Sequence, residues 1–201
     1  MAEMSLRERK KKETGVRLWV AAVKLFAERG FDAVSTAEIA AAADVSKMTL
    51  FNYFPTKEDL VLMPMEDHLD EPARVVRARA DGQTPVAALK AQFLTALAGR
   101  DPATGLNDSD SFVQIQRLIR NTPALLTRAL RYELTRVDTL AEALAEPGPV
   151  TPLDRVRGRQ IMGVIGGLVE HNVGRVLAGE KADDVYPDAV ALAESGFDLL
   201  R

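Results

Sequence analysis

A chain of 201 residues, 47% of them apolar, is ample for one large core or two small ones, and the lack of cysteine excludes disulfides and thiolate metal sites. A net charge of −3 excludes a coat of basic charge, yet residues 1–62 carry ten Lys and Arg against nine acids, so a local basic face can form there. No apolar run is long enough to span a bilayer, and the N-terminus is charged where a signal peptide is apolar, so a cytoplasmic protein is expected.

Residues 1–14 are polar and basic, with Arg7, Arg9, Lys10, Lys11 and Lys12 close together. They read as a solvated tail or a frayed helix start, mobile in the free protein. From about Val16 to Arg29 an apolar stripe of Leu18, Ala21, Ala22, Leu25 and Phe26 predicts a helix, which Gly30 ends. Trp19 lies off the stripe and is expected to pack against a neighbouring element.

Ser35 stands three residues before Glu38, the reciprocal capping arrangement that starts a helix, and Ile39 and the alanines after it continue that helix to about Ala43. Ala43, Asp44 and Val45 form a break. Ser46 caps a second short helix, Lys47 to about Tyr53, which Pro55 ends by pushing its predecessor out of the α region. Thr56 caps a third, with Glu58 and Asp59 in its first turn where the macrodipole favours acids. Two short helices across a three-residue turn fit a helix-turn-helix, whose second helix enters the DNA major groove. Ile39, Ala40, Val45 and Leu50 would lock the pair. Lys47, Met48, Thr49, Phe51, Asn52 and Tyr53 remain as a mixed basic, polar and aromatic surface. With DNA as partner, the basic tail has a second reading, as an arm that meets phosphates or the minor groove.

This stretch resembles the DNA-binding signature of the TetR family of transcriptional regulators. The likeness lies in the small-residue helix around Ile39 and Ala40, Val45-Ser46, Thr49-Leu50-Phe51, Tyr53-Phe54-Pro55 and Lys57-Glu58 through Leu60; it extends to the preceding helix. Two positions depart from the pattern. Asp44 stands where the family has glycine, and Asp tolerates a left-handed turn better than most residues. Met48 stands where a small residue is common, at the front of the recognition helix.

The helix from Lys57 is expected to run to about Ala80 as a bent connector, kinked or broken at Pro64 and at Pro72. After a turn at 81–84, a helix over Pro85–Ala98, a loop over 99–110, a helix through Asn121 and a helix from Pro123 to about Glu146 follow. The last of these is expected to face the core with Leu126, Leu130, Leu134, Val137, Leu140 and Leu144. Beyond a break at 146–152, two long helices cover about 152–178 and 182–200. The first carries Gly158, Gly163, Gly166, Gly167 and Gly174, each unfavourable by about 1 kcal/mol inside a helix. Close approach of another backbone explains them, either within the monomer or from a symmetry mate. The second offers Ala189, Val190, Ala193, Gly196, Phe197 and Leu200.

The expected fold is all-α: an N-terminal three-helix helix-turn-helix domain (1–56) joined to a C-terminal helical ligand-binding and dimerisation bundle (57–201). No P-loop, dinucleotide fingerprint or nucleophile elbow occurs, and the two histidines lie far apart, so no catalytic residue, metal site or cofactor is expected. The resemblance implies a ligand-responsive regulator, a repressor that binds a palindromic operator as a homodimer through its last two helices and is released by a small molecule. It implies phosphate contacts for Thr36, Tyr53 and Lys57. Lys47, Met48, Thr49, Phe51 and Asn52 are the candidates for base contact, although Phe51 or Tyr53 is alternatively part of the core and Lys47 a phosphate ligand. Candidate effector contacts are His68, Gln116, Arg117, Tyr132 and His171, each with a structural role as its plainer reading, and the effector is expected to be largely apolar. The competing functions are an activator or architectural DNA-binder without ligand, and an all-α enzyme or interaction module.

Overall fold

A computed structural model describes residues 5–66 and 68–200; among them there are helices and turns and no strand. Residues 1–4 of the expected N-terminal tail lie outside the described residues. The chain divides into two compact units. One comprises the described part of Met1–Pro64 together with Leu118–Arg128, the other Met65–Arg117 and Ala129–Arg201.

In the first unit a long helix, α1 (Leu6–Arg29), is followed by two short ones, α2 (Thr36–Ala42) and α3 (Lys47–Tyr53), and by the start of α4 (Lys57–Glu66). Of the two readings of the basic segment, the helix start fits and the unstructured tail does not: the segment is helical from Leu6, and Arg9 to Glu13 form exposed turns of α1. Lys and Arg are good helix formers, and the apolar stripe further along provides the nucleus onto which these turns propagate. Leu18, Phe26, Val34, Ile39, Leu50 and Leu60 are almost wholly buried and form the centre of this unit, with Phe31 set against Phe26 at 5.0 Å between ring centroids. Trp19, half-buried, donates from Nε1 to the Val61 carbonyl at 3.3 Å and so ties α1 to α4.

The expected connector from 57 to 80 is broken, between its two prolines, into two helices. α4 carries Pro64 inside its last turn and stops at Glu66; after a turn at 68–70, α5 (Glu71–Arg77) begins, with Pro72 in its first turn. There a proline lacks only an N–H that would have no helical partner, so Pro72 starts a helix instead of kinking one.

The second unit builds its core from α5, α6 (Pro85–Ala98), the later turns of α8 (Pro123–Ala145), α9 (Pro152–Leu177) and α10 (Ala182–Asp198), and it also contains much of α7 (Asp110–Asn121). Phe93 of α6 and Phe197 of α10 meet at 5.9 Å between ring centroids in that core. The loop at 99–110 is not wholly irregular: Pro102–Thr104 form a 3-10 turn, and Thr104, Gly105 and Leu106 are buried. The predicted face of α8 is displaced. Leu126, Leu130 and Leu134 are 43%, 59% and 53% exposed, while Leu125, Ala129 and Tyr132 are buried ahead of Val137 and Leu140. Both sets have helical spacing, so periodicity alone did not choose between them. Of the apolar residues of α10, Ala189, Ala193 and Phe197 are consumed inside the unit.

Gly105 adopts φ 75°, and a Cβ there would lie 2.5 Å from the Val169 carbonyl oxygen of α9 and 2.9 Å from a Val173 methyl. Left-handed strain and overpacking act together at this position. Gly105→Ala is expected to lower stability by at least about 2 kcal/mol, roughly 4–8 °C in Tm for a chain of this size. Gly15→Ala in α1, where a Cβ would make only ordinary contacts at 3.9 Å, should lower neither. Thermal unfolding of the two variants side by side checks this.

Candidate nucleic-acid interface

α2 begins at a reciprocal cap. The Ser35 hydroxyl accepts from the Glu38 N–H at 3.2 Å, and the Glu38 carboxylate accepts from the Ser35 N–H at 2.9 Å. Arg29, at the end of α1, donates to the same carboxylate at 2.7 Å and to the Ala33 carbonyl at 2.9 Å, which fixes the α1–α2 corner. The break after Ala43 is closed by the Val45 N–H, which donates to the Ala40 carbonyl at 2.9 Å, and it turns through Asp44 at φ 53°. This is the left-handed conformation that Asp enters more easily than most residues, so the turn forms without the family's glycine. Ser46 then caps α3, its hydroxyl accepting the Thr49 N–H at 3.0 Å.

α3 spends one face on folding and leaves the other outward. Leu50 is wholly buried, whereas Met48 is 74% exposed and Phe51 42%. Lys47 and Asn52 are exposed too, and the Lys47 ammonium stands 5.7 Å from the Phe51 ring centroid, where cation and ring attract. Thr49 and Tyr53 are half-buried, as is Thr36 at the start of α2; Tyr53 lies beside Gly15 of α1. The alternative that Phe51 belongs to the core is thereby set aside, and for Tyr53 it holds in part.

Lys57 has an internal task. Its ammonium donates to the carbonyls of Phe31 at 2.7 Å and Val34 at 3.1 Å, and stands 4.2 Å from the Phe31 ring centroid. It clamps the α1–α2 corner against the start of α4. A second group there is Asp59, whose place in the first turn was legible in the sequence but whose burial and pairing were not. It is 4% exposed, accepts from the Thr56 N–H at 3.1 Å and pairs with Arg128 of α8 at 2.7 Å. The Thr56-x-x-Asp59 spacing is a readable capping signal; its partner from the other half of the chain is not.

In the second unit a small, partly open cavity of about 50 Å³ lies among α5, α6, the 3-10 turn, α8 and α9. Val75, Leu89, Phe93 and Ile165 give it an apolar wall; Glu71, Gln92, Thr104 and Arg136 supply polar groups. Arg136 is held by Glu133 at 2.9 Å and keeps a buried Nε–H without an acceptor. The five candidate effector residues are elsewhere. His68 is exposed and bonded to Glu71 at 2.9 Å, Arg117 and His171 are exposed, Gln116 is half-buried and Tyr132 buried, and none of them lines this cavity. Among the described residues no group of His, Cys, Asp and Glu could hold a metal ion, and no helix is long and apolar enough to cross a membrane.

Three comparisons bear on this arrangement. The family profile described as bacterial regulatory proteins, tetR family, matches residues 18–63, the segment from α1 into α4. The HTH-type transcriptional regulator TcmR of Streptomyces glaucescens is 30% identical over 200 residues, 98% of this chain and 86% of that protein. Among solved structures, NalD, the secondary repressor of the MexAB-OprM multidrug efflux pump in Pseudomonas aeruginosa, superposes with a TM-score of 0.59 at 18% identity, over 92% of this chain and 97% of that one. Thermus thermophilus FadR in complex with lauroyl-CoA gives 0.51 at 22% identity, over 90% and 94%. At these identities the two structures speak for the fold.

The Ser35 N–H and hydroxyl, and then Arg29, hold the Glu38 carboxyl at about 2, below its ordinary value of 4.5. The folded state thus favours the ionised acid. Its stabilisation is complete above the ordinary value and is lost as pH falls from about 4.5 toward 2. Glu38→Gln should therefore melt below the parent at pH 6, with the gap closing through that window. Melting curves at pH 6, 4 and 2.5 measure it, and a gap independent of pH would contradict the assigned cause.

Proposed function

For this chain, which belongs to the TetR family of bacterial transcriptional regulators, we propose a cytoplasmic repressor that binds an operator as a homodimer and is released by a small, largely apolar effector. The observation that carries the reading is the outward face of α3. Lys47, Met48, Phe51 and Asn52 are exposed on a helix whose remaining residues already supply its packing. Lys suits guanine acceptors, Asn suits adenine, and Met and Phe suit thymine methyls, with Thr49 at the edge of the same face. Thr36 and Tyr53 flank that face and are assigned to phosphates. Lys57, held by two carbonyls, serves that contact by fixing the corner. Two copies of α3, about 34–36 Å apart, would read an approximately palindromic site. The exposed Arg9, Lys10, Lys11 and Lys12 of α1 add basic charge for the DNA backbone.

Dimerisation is assigned to α9 and α10. Gly163, Gly166, Gly167 and Gly174 are exposed on one face of α9 with no atom of their own chain near them, and Leu192 of α10 and Leu199 just beyond it are exposed apolar residues. Four helix-weakening glycines on an open face are explained by a second backbone approaching there. Gly158, by contrast, is used within the unit, where a Cβ would lie 3.2 Å from the Val137 carbonyl oxygen of α8. The effector is assigned to the cavity walled by Phe93 and Ile165, its polar end to Arg136. A ligand that prefers the non-binding conformer would draw the population away from DNA. Residues 1–56 remain the DNA-binding part of this reading and 57–201 the part that responds.

Selection from random duplex DNA, followed by binding of the labelled winner and a scrambled control across a salt series, tests the reading. Lys47→Ala with Asn52→Ala should weaken the specific complex by about tenfold or more and leave the weak, salt-dependent binding to scrambled DNA nearly unchanged. Selection that yields no preferred sequence would remove the regulator reading. For the dimer, Gly163→Leu with Gly167→Leu should shift sedimentation toward monomer at micromolar concentration while the helix content stays; a dimer that survives both leucines would place the interface elsewhere.

A further inference from the structure

The start of α4 is the junction of the first unit, and one of its attachments comes from far along the chain. Asp59 is enclosed, and a buried carboxylate is unfavourable unless its charge and lone pairs are met. Its Oδ2 accepts the Thr56 N–H at 3.1 Å, and the Thr56 hydroxyl accepts the Asp59 N–H at 3.1 Å. Its Oδ1 faces the Arg128 guanidinium at 2.7 Å. Thr56 follows α3 by three residues, across Phe54 and Pro55. The acid that closes this cap is therefore shared between the end of the recognition helix and α8.

We propose that Arg128 is a positioning residue for DNA recognition: its ion pair with Asp59 sets the start of α4, and through the short link at 54–56 the attitude of α3. The assignment rests on the regulator reading above. Arg128 need not touch DNA. Without it, Asp59 keeps its Thr56 bonds but loses its Arg128 counter-ion, and the first turn of α4 relaxes toward water. The hydrophobic centre of the unit, built on Phe26, Ile39, Leu50 and Leu60, does not involve the pair, so the unit should fold in its absence while α3 is less well aimed. The position of Arg128 on α8 adds a regulatory sense. The same helix, eight residues on, supplies Arg136 to the cavity wall, so a ligand that disturbs α8 acts on the element that holds Asp59.

The test compares the full-length parent with Arg128→Met, Arg128→Lys, Asp59→Asn and the Arg128→Met/Asp59→Asn double variant. Operator affinity is read by fluorescence anisotropy on the selected duplex. Folding of the first unit is read from the emission of Trp19, the single tryptophan, which is bonded to α4. Expected are parent-like emission throughout and an operator affinity about tenfold lower for Arg128→Met, equivalent to 1.4 kcal/mol. The double variant should be no worse than the worse single one, and Arg128→Lys should recover part of the loss. Parent affinity in Arg128→Met overturns the proposal, as do strictly additive losses in the double variant. Loss of the Trp19 signal together with binding overturns it as well, because the pair would then hold the fold and not aim the helix. A parent chain that forms no specific complex fails at the earlier step and removes the regulator reading itself, an outcome separate from all of these.

Discussion

The interactions at the first turn of α4 are what the DNA-reading unit depends on. Helices of seven residues, such as α2 and α3, are too short to persist in water by their own hydrogen bonds. They exist here because Ser35 and Ser46 cap them and because Ile39 and Leu50 are driven into a core whose other walls are α1 and α4. α4 is held at several points within its first turns. Lys57 reaches the α1–α2 corner, Asp59 closes its own cap, and Val61 receives the indole N–H of Trp19. Each bond is modest alone, but together they leave α3 little freedom to tilt. An exposed face can be aligned with a groove only if the helix bearing it is fixed from behind.

Much of this was legible in the sequence because it is local. Ser35 with Glu38, Ser46 before Lys47, and Gly30 after Arg29 are chemical statements about the ends of helices, and each structure forms where its residues stand. The outward face of α3 was legible by subtraction, once Leu50 was spent on the core. What was not legible depended on partners distant in sequence. α8 carries apolar residues around more than one face, and only the neighbouring helices decide that Leu125, Ala129 and Tyr132 turn inward while Leu126, Leu130 and Leu134 do not. The cavity illustrates the same limit. His68, Gln116, Arg117, Tyr132 and His171 were selected by residue type, whereas its walls come from α5, α6, α8 and α9, whose meeting no local pattern encodes. Pro72 failed differently: a proline inside an apolar pattern breaks or begins a helix, and the choice fell to the turn before it.

The glycines of α9 separate into two kinds by what surrounds them. Gly158 lets α8 come close, and its lost side chain is repaid by backbone contact inside the unit. Gly163, Gly166, Gly167 and Gly174 face open space, where alanine would favour the helix more. Gly105 is a third case: its backbone conformation and the Val169 carbonyl beside it both forbid a side chain, so a segment that reads as loop is as firmly fixed as any helix.

The continuity of α8 has an evolutionary consequence. Arg128 and Arg136 stand on one rod, about 12 Å apart along its axis. Substitutions at exposed positions between them, such as Leu130 and Leu134, leave that spacing intact. An inserted or deleted residue would instead swing one arginine by about 100° around the axis relative to the other. The number of residues between these two positions is therefore under tighter constraint than the identity of the exposed side chains among them.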